Sequence, residues 1–140
     1  GNMCSLLARY LEAKFVLMHI AYPYSDELVA IAKHYSNVWV DMCWAWSIDP
    51  YSSRDFLRRF IHAVPINKIF TYGGDTGWAT SSVAYAFQAR REIQKALEAE
   101  IDDNYMNEKQ AMAIATQIMH DNQYACFDLH NTRTNIRSAA

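Results

Sequence analysis

Apolar residues in the first half of the chain fall into two kinds of run: stripes spaced three and four apart, and short unbroken blocks. Leu6, Leu7, Tyr10 and Leu11 form a stripe across residues 3–13, with Arg9 and Glu12 on the other side, which predicts a helix. Phe15 to Met18 is an unbroken block that stops at His19, the pattern of a strand buried on both faces. Past Pro23, Leu28, Ile31, Ala32 and Tyr35 make a second stripe. Ser25 is placed to cap it, and Asp26 and Glu27 suit the positive end of a helix. A second block starts at Val38 and continues through Asp41 to Cys43. Ser52 with Asp55 resembles a capping box in which Asp replaces the usual Glu or Gln. The helix it opens has Phe56, Leu57, Phe60 and Ile61 on one face and Arg54, Arg58 and Arg59 on another, read as a solvated face. Val64-Pro65 ends it, and residues 69–72 are the third block.

Strands separated by single helices run parallel and are joined by right-handed crossovers, so the pattern predicts an α/β architecture. All three strand ends, at His19, at residues 41–46 and at Asp75, then fall on one edge, where parallel α/β folds collect ligands and catalytic groups. Gly73-Gly74 predicts a tight turn that leaves Asp75 at the tip of a buried strand; the plainer reading of Asp75 is a cap on the following turn or helix. Asp41, late in the second strand, is aimed either into this site or at a neighbouring backbone amide. Helices are expected over 81–100 and after Asn107, and a short element over 122–129 packs back through Tyr124, Phe127 and Leu129. The expected organisation is one domain over 1–130 and a flexible polar tail over 131–140.

Composition narrows the function. The 140 residues are 51% apolar with a net charge of −2, which supplies no basic surplus for nucleic acid and no polybasic face for lipid. No apolar run is long enough to span a membrane, and residues 4–11 lack the order of a secretory leader. Cys4, Cys43 and Cys126 are odd in number and widely separated, against a disulfide framework or a structural zinc site, and a cytoplasmic location is expected. Cys43, in an apolar segment, reads as a small buried hydrophobe.

Three segments, taken in order, resemble the closing part of the amidohydrolase superfamily, in the branch of small-acid decarboxylases and uronate isomerases. Phe15-Val-Leu-Met-His19 ahead of Pro23 is similar to that family's sixth barrel strand, Asn37-Val-Trp-Val-Asp41 to its seventh, and Lys68-Ile-Phe-Thr-Tyr-Gly-Gly-Asp75 to its eighth. Asn122 shortly before Phe127 and Leu129 is similar to the final helix. The resemblance implies the C-terminal portion, about three βα units, of a (β/α)8 TIM barrel. It implies a metal-dependent hydrolase, or a decarboxylase or isomerase of the same family, acting on a small organic substrate with a divalent metal, zinc by donor type. Asp75 would bind the metal or take a proton from its water, and His19 would bind metal, polarise substrate or shuttle a proton. Tyr22, Trp44, Trp46 and Trp78 would wall the substrate pocket.

The chain departs from the family at several points. No HxH motif occurs, and His34, His62, His120 and His130 read as surface or satisfied residues. A full barrel takes about 250 residues. The alternative is therefore a non-catalytic partial barrel without a competent metal site, acting as a structural or oligomerising module. Open strand edges invite association, so a homo-oligomer, or pairing with the missing barrel half, is expected.

Overall fold

The computed structural model describes residues 2–139. The three apolar blocks become β1 (Phe15–Met18), β2 (Val38–Asp41) and β3 (Ile69–Phe70), parallel and ordered β1-β2-β3. The second and third strands are shorter than expected, each ending before its chain turns along the sheet edge. Phe15 lies opposite Val38, Leu17 opposite Val40 and Val40 opposite Ile69, so these share one face. That face is buried: Val38, Val40 and Ile69 are fully enclosed with Leu28, Ala32, Phe56, Leu57 and Phe60. Each large side chain here contributes roughly 1.5–3 kcal/mol of burial free energy. The opposite face carries Val16, Met18, Trp39, Asp41 and Phe70, and it is covered only in part, with Phe70 meeting Phe127 at 5.4 Å between ring centroids. A sheet buried by helices on one side and half open on the other is an arc of a barrel wall. The chain is three βα units of a TIM barrel.

Helices flank this arc: α1 (Asn2–Arg9), α2 (Ser25–His34), α3 (Ala45–Ile48), α4 (Pro50–Ala63), α5 (Ala79–Asp102), α6 (Glu108–Thr116), α7 (Asn122–Phe127) and α8 (Leu129–Ser138). α1 stops short of residue 13 because Asn37 Nδ2 donates to the carbonyls of Leu7 (3.1 Å) and Tyr10 (2.9 Å), satisfying its end from outside. Buried Lys68 does the same for α2, donating from Nζ to the Ala32 and Tyr35 carbonyls at 2.6 Å each. Burial lowers the Lys68 ammonium below its ordinary range. α4 starts earlier than the Ser52–Asp55 reading places it. Asp49 is its cap, accepting from the amides of Tyr51 and Ser52 and from Ser52 Oγ, with Pro50 at the first turn.

The arginine face of α4 is not simply solvated. It packs on α5: Arg54 Nε sits 3.3 Å from Glu92 Oε2, while Arg58 pairs with Glu100 and Asp103. His62 Nε2 lies 2.6 Å from the same fully buried Glu100. Burial pushes the Glu92 carboxyl up, but hydrogen bonds from Lys95 and Arg91 and the charges of Lys95 and Arg54 bring it below its ordinary range. Helical spacing alone could not reveal these acids, since they occupy positions that look exposed until α4 and α5 are brought together.

Asn107 caps α6 in a full capping box with Gln110. A π-helical turn, Gln117–Asp121, then joins α6 to α7. The stretch read as a polar tail is helical through Ser138, although α8 buries none of its residues. Among the described residues, no helix is long and apolar enough to cross a membrane.

Candidate active site

Each strand tip ends on a non-glycine residue in the left-handed region. After β1 these are His19, Ile20 and Ala21 (φ 59°, 51° and 51°), after β2 Trp44 (61°), and after β3 Asp75 (38°). Such conformations cost about 1–3 kcal/mol each and persist where surrounding contacts over-determine them. Their gathering at one edge is independent of any motif.

The glycines act differently from the expected tight turn. No described glycine has positive φ. A Cβ on Gly73 would stand 2.4 Å from Cys43 Cβ, and one on Gly74 would stand 2.7 Å from Ser82 Oγ. Gly73 is there so that the tips of β2 and β3 can approach; its carbonyl accepts from Trp44 N at 3.2 Å. That approach sets the position of Asp75.

His19 and Asp75 are brought together, with Nε2 and Oδ2 3.4 Å apart. His19 Nδ1 lies 2.9 Å from the Cys43 carbonyl, so Nδ1 carries a proton and donates, and Nε2 is the nitrogen that faces Asp75. Trp44 meets the imidazole edge-on at 5.5 Å. Asp41 resolves to the second of its two readings: Oδ1 accepts the Cys43 amide at 2.8 Å and holds the turn that presents the Cys43 carbonyl. Burial pushes the Asp41 carboxyl up, opposed by the Cys43 amide and His19, with the Asp75 charge adding to the rise. Burial also pushes the Cys43 thiol up to about 12, helped by the charges of Asp41 and Asp75. Cys43 is thus a protonated, buried hydrophobe and no nucleophile, although its Sγ is 3.4 Å from His19 Nδ1.

Asp75 is not a helix cap, because α5 begins at Ala79 and has no side-chain cap. Of the four expected pocket aromatics, Trp44 stands at the pair, while Tyr22 and Trp78 are exposed on flanking loops. Trp46 does not line the mouth. It is 2% exposed and donates Nε1–H to the Thr71 carbonyl at 2.7 Å, bracing β3 from below. The Cys43 carbonyl, which sets the His19 tautomer, left no sequence signal, being backbone. Among the described residues no group of three or more His, Cys, Asp or Glu side chains could hold a metal. Two clefts, of about 680 and 500 Å³, lie among α2, α4 and α5 and between α5 and α6, away from the pair. The strand-tip edge itself is open, because the rest of a barrel rim is not part of this chain.

The amidohydrolase family model matches residues 3–125. Protein fluG of Emericella nidulans is 31% identical over 141 residues, covering 93% of this chain and 15% of that protein. A crystal structure of a Lactobacillus casei protein, assigned as a metal-dependent hydrolase, superposes with a TM-score of 0.73 at 19% identity, covering 92% of this chain and 34% of that one. The chain therefore spans a minor part of the length of the relatives it matches. With the match running through all three strands and their tips, the chain belongs to the amidohydrolase family.

Proposed function

We propose that this chain contributes the sixth-to-eighth-strand part of the active-site edge of an amidohydrolase-type, metal-dependent hydrolase acting on a small organic molecule, with a decarboxylase or isomerase of the same family as the neighbouring chemistries. The observation that carries the reading is the convergence of His19 Nε2 and Asp75 Oδ2 at 3.4 Å. With Nδ1 donating to the Cys43 carbonyl, Nε2 and Oδ2 are the two atoms that can turn lone pairs on a cation between them. Such atoms repel unless a cation or proton lies there. Two donors about 2.0–2.1 Å from one tetrahedral zinc ion are themselves about 3.3–3.4 Å apart. Imidazole nitrogen and carboxylate oxygen also suit zinc by type, so the pair fits a divalent metal as half of a ligand set. The other ligands would come from barrel strands outside this chain.

A bound metal would supply a water of near-neutral pKa and a Lewis acid for a carbonyl. The chain's own residues do the rest. Asp75, through the carboxylate oxygen that the metal leaves free, would accept a proton, and the Cys43 carbonyl keeps the imidazole in the tautomer that presents Nε2 to the metal. Trp44 fixes the ring, and Tyr22 and Trp78 flank the substrate's approach. A second reading, a non-catalytic structural module, is favoured by the count of two donors. The two separate in a zinc titration followed by thermal unfolding, since a ligand that binds only the folded state raises its midpoint. The metal reading expects zinc to raise the midpoint of the native chain, and the shift to vanish in Asp75→Ala and His19→Ala. A midpoint indifferent to zinc, or a shift retained in both variants, sinks it.

A further inference from the structure

Asp75 has little of its own to hold it. Its side chain is half exposed and makes no hydrogen bond among the described residues; its polar neighbour is His19 Nε2 at 3.4 Å. Where the carboxylate stands is therefore decided by the backbone, which is left-handed there at φ 38° and keeps that conformation only under constraint from its surroundings. Upstream the constraint is the approach of Gly73 to Cys43, with Trp44 N bonded to the Gly73 carbonyl. Downstream the loop is loose. A Cβ on Gly77 would meet nothing within 4 Å, Trp78 is 75% exposed, and the bond from Trp78 N to Thr76 Oγ1, at 3.3 Å, is local. α5 begins with no side-chain cap. One contact closes this end. Tyr72, whose ring packs against the core, places its hydroxyl 2.7 Å from the Ser82 carbonyl and 2.8 Å from Ser82 Oγ. The hydroxyl has one proton, which goes to the carbonyl, so Ser82 Oγ–H is the donor in the second bond. Ser82 Oγ in turn lies over Gly74, where a Cβ would stand 2.7 Å away.

We propose that Tyr72 is the positioning residue of Asp75: its hydroxyl grips both polar groups of Ser82 and so ties the first turn of α5 to the tip of β3, closing the loop from which Asp75 faces His19. A phenylalanine would fill the same space in the core, so packing does not call for the oxygen. What the oxygen adds is a fixed span. With Tyr72 joined to Ser82 and Gly74 seated under Ser82, residues 73–81 bridge two fixed ends, and Asp75 lies close to one of them. Groups that orient a ligand without touching the metal typically change metal affinity about 10–100-fold. As a helper of the metal site Tyr72 rests on the metal reading, so its first readout is taken without metal and the two can fail separately.

Tyr72→Phe removes the oxygen and keeps the ring. In metal-free NMR the Asp75 and Thr76 amide resonances should move. The Ser82 amide, bonded to the Trp78 carbonyl at 3.1 Å, should exchange roughly tenfold faster, the factor for about one net hydrogen bond. His19 Nδ1 should stay bonded to the Cys43 carbonyl, because that end of the loop is untouched. A zinc titration should then give an affinity about tenfold weaker than that of the native chain. Ser82→Ala, which deletes one of the two bonds, should move the same signals by less. Asn107→Ala serves as the comparison: it removes the cap of α6 and lowers stability, and it should leave the Asp75 amide and the zinc affinity native. Native Asp75 and Ser82 signals in both Tyr72→Phe and Ser82→Ala overturn the proposal, whether or not zinc binds. So does a zinc affinity unchanged in Tyr72→Phe, or lowered as much by Asn107→Ala. A native chain indifferent to zinc overturns the metal reading alone, and the metal-free signals then decide the role of Tyr72.

Discussion

Gly73→Ala adds one methyl group where the tips of β2 and β3 approach most closely. The new carbon would stand 2.4 Å from Cys43 Cβ, roughly 1 Å short of the 3.5–4.0 Å optimum for carbon pairs. The nearest atoms are Cβ and Cα of Cys43, close to the backbone, so no flexible side chain can swing away. The tips must part, which strains the 3.2 Å bond from Trp44 N to the Gly73 carbonyl. Overpacking of this kind costs about 1–3 kcal/mol. Urea unfolding should show the midpoint falling by that amount with an unchanged slope. Removing the opposing carbon in Cys43→Gly makes room, so the double variant should be more stable than the sum of the two single losses predicts, by at least about 0.5 kcal/mol. The perturbation also reaches the site. Cys43 supplies the carbonyl bound by His19, so the His19 ring resonances should move although no site residue has changed. A Gly73→Ala chain within about 0.5 kcal/mol of native, additive with Cys43→Gly and with His19 undisturbed, would refute the close-approach account.

Asn122→Ala removes donors to the Ile66 and Ile69 carbonyls at 2.7 and 2.8 Å and leaves both without a partner; chemical denaturation should register a loss of about 2–4 kcal/mol. Asp49→Ala deletes the cap of α4 and should cost about 1 kcal/mol at neutral pH, whereas Asp49→Asn should cost less. Hydrogen bonds from Ser52 lower the Asp49 carboxyl below its ordinary range. A carboxyl depressed by folding stabilises above its unfolded pKa of about 4, and that stabilisation fades as pH falls through the folded value. Stability measured against pH should therefore fall less steeply below about pH 4 in Asp49→Asn than in the native chain; parallel acid limbs would contradict this.

The strands and their direction were legible because Phe15–Met18, Val38–Val40 and Ile69–Phe70 are unbroken apolar blocks alternating with helical stripes; burial against the helices accounts for every second residue of each block, and the others lie on the partly covered face. His19 and Asp75 were legible for the same reason: each follows such a block, and topology puts block ends on one edge. Helix boundaries were less so. α1 ends early because of Asn37, a residue two elements away, and α4 starts early because Asp49 competes with Ser52 for the cap. Trp46 looked like its neighbour Trp44; only the placement of Thr71 shows that one faces the site and the other braces β3. The Arg54 and Arg58 partners required knowing that α5 lies across α4. The role of Gly73 was hidden because a glycine serving close approach is identical in sequence to one serving a turn.

On the metal reading, His19 and Asp75 face one cation, with His19 using Nε2 because the Cys43 carbonyl holds Nδ1. Nitrogen-resolved NMR of the histidine side chains during a zinc titration tests it directly. Before zinc, His19 should be the tautomer protonated at Nδ1. Zinc should then shift His19 Nε2 while Nδ1 stays protonated, and Asp75→Ala should abolish or sharply weaken that response. A His19 protonated at Nε2, a zinc shift at Nδ1, or a response unaffected by Asp75→Ala would contradict it.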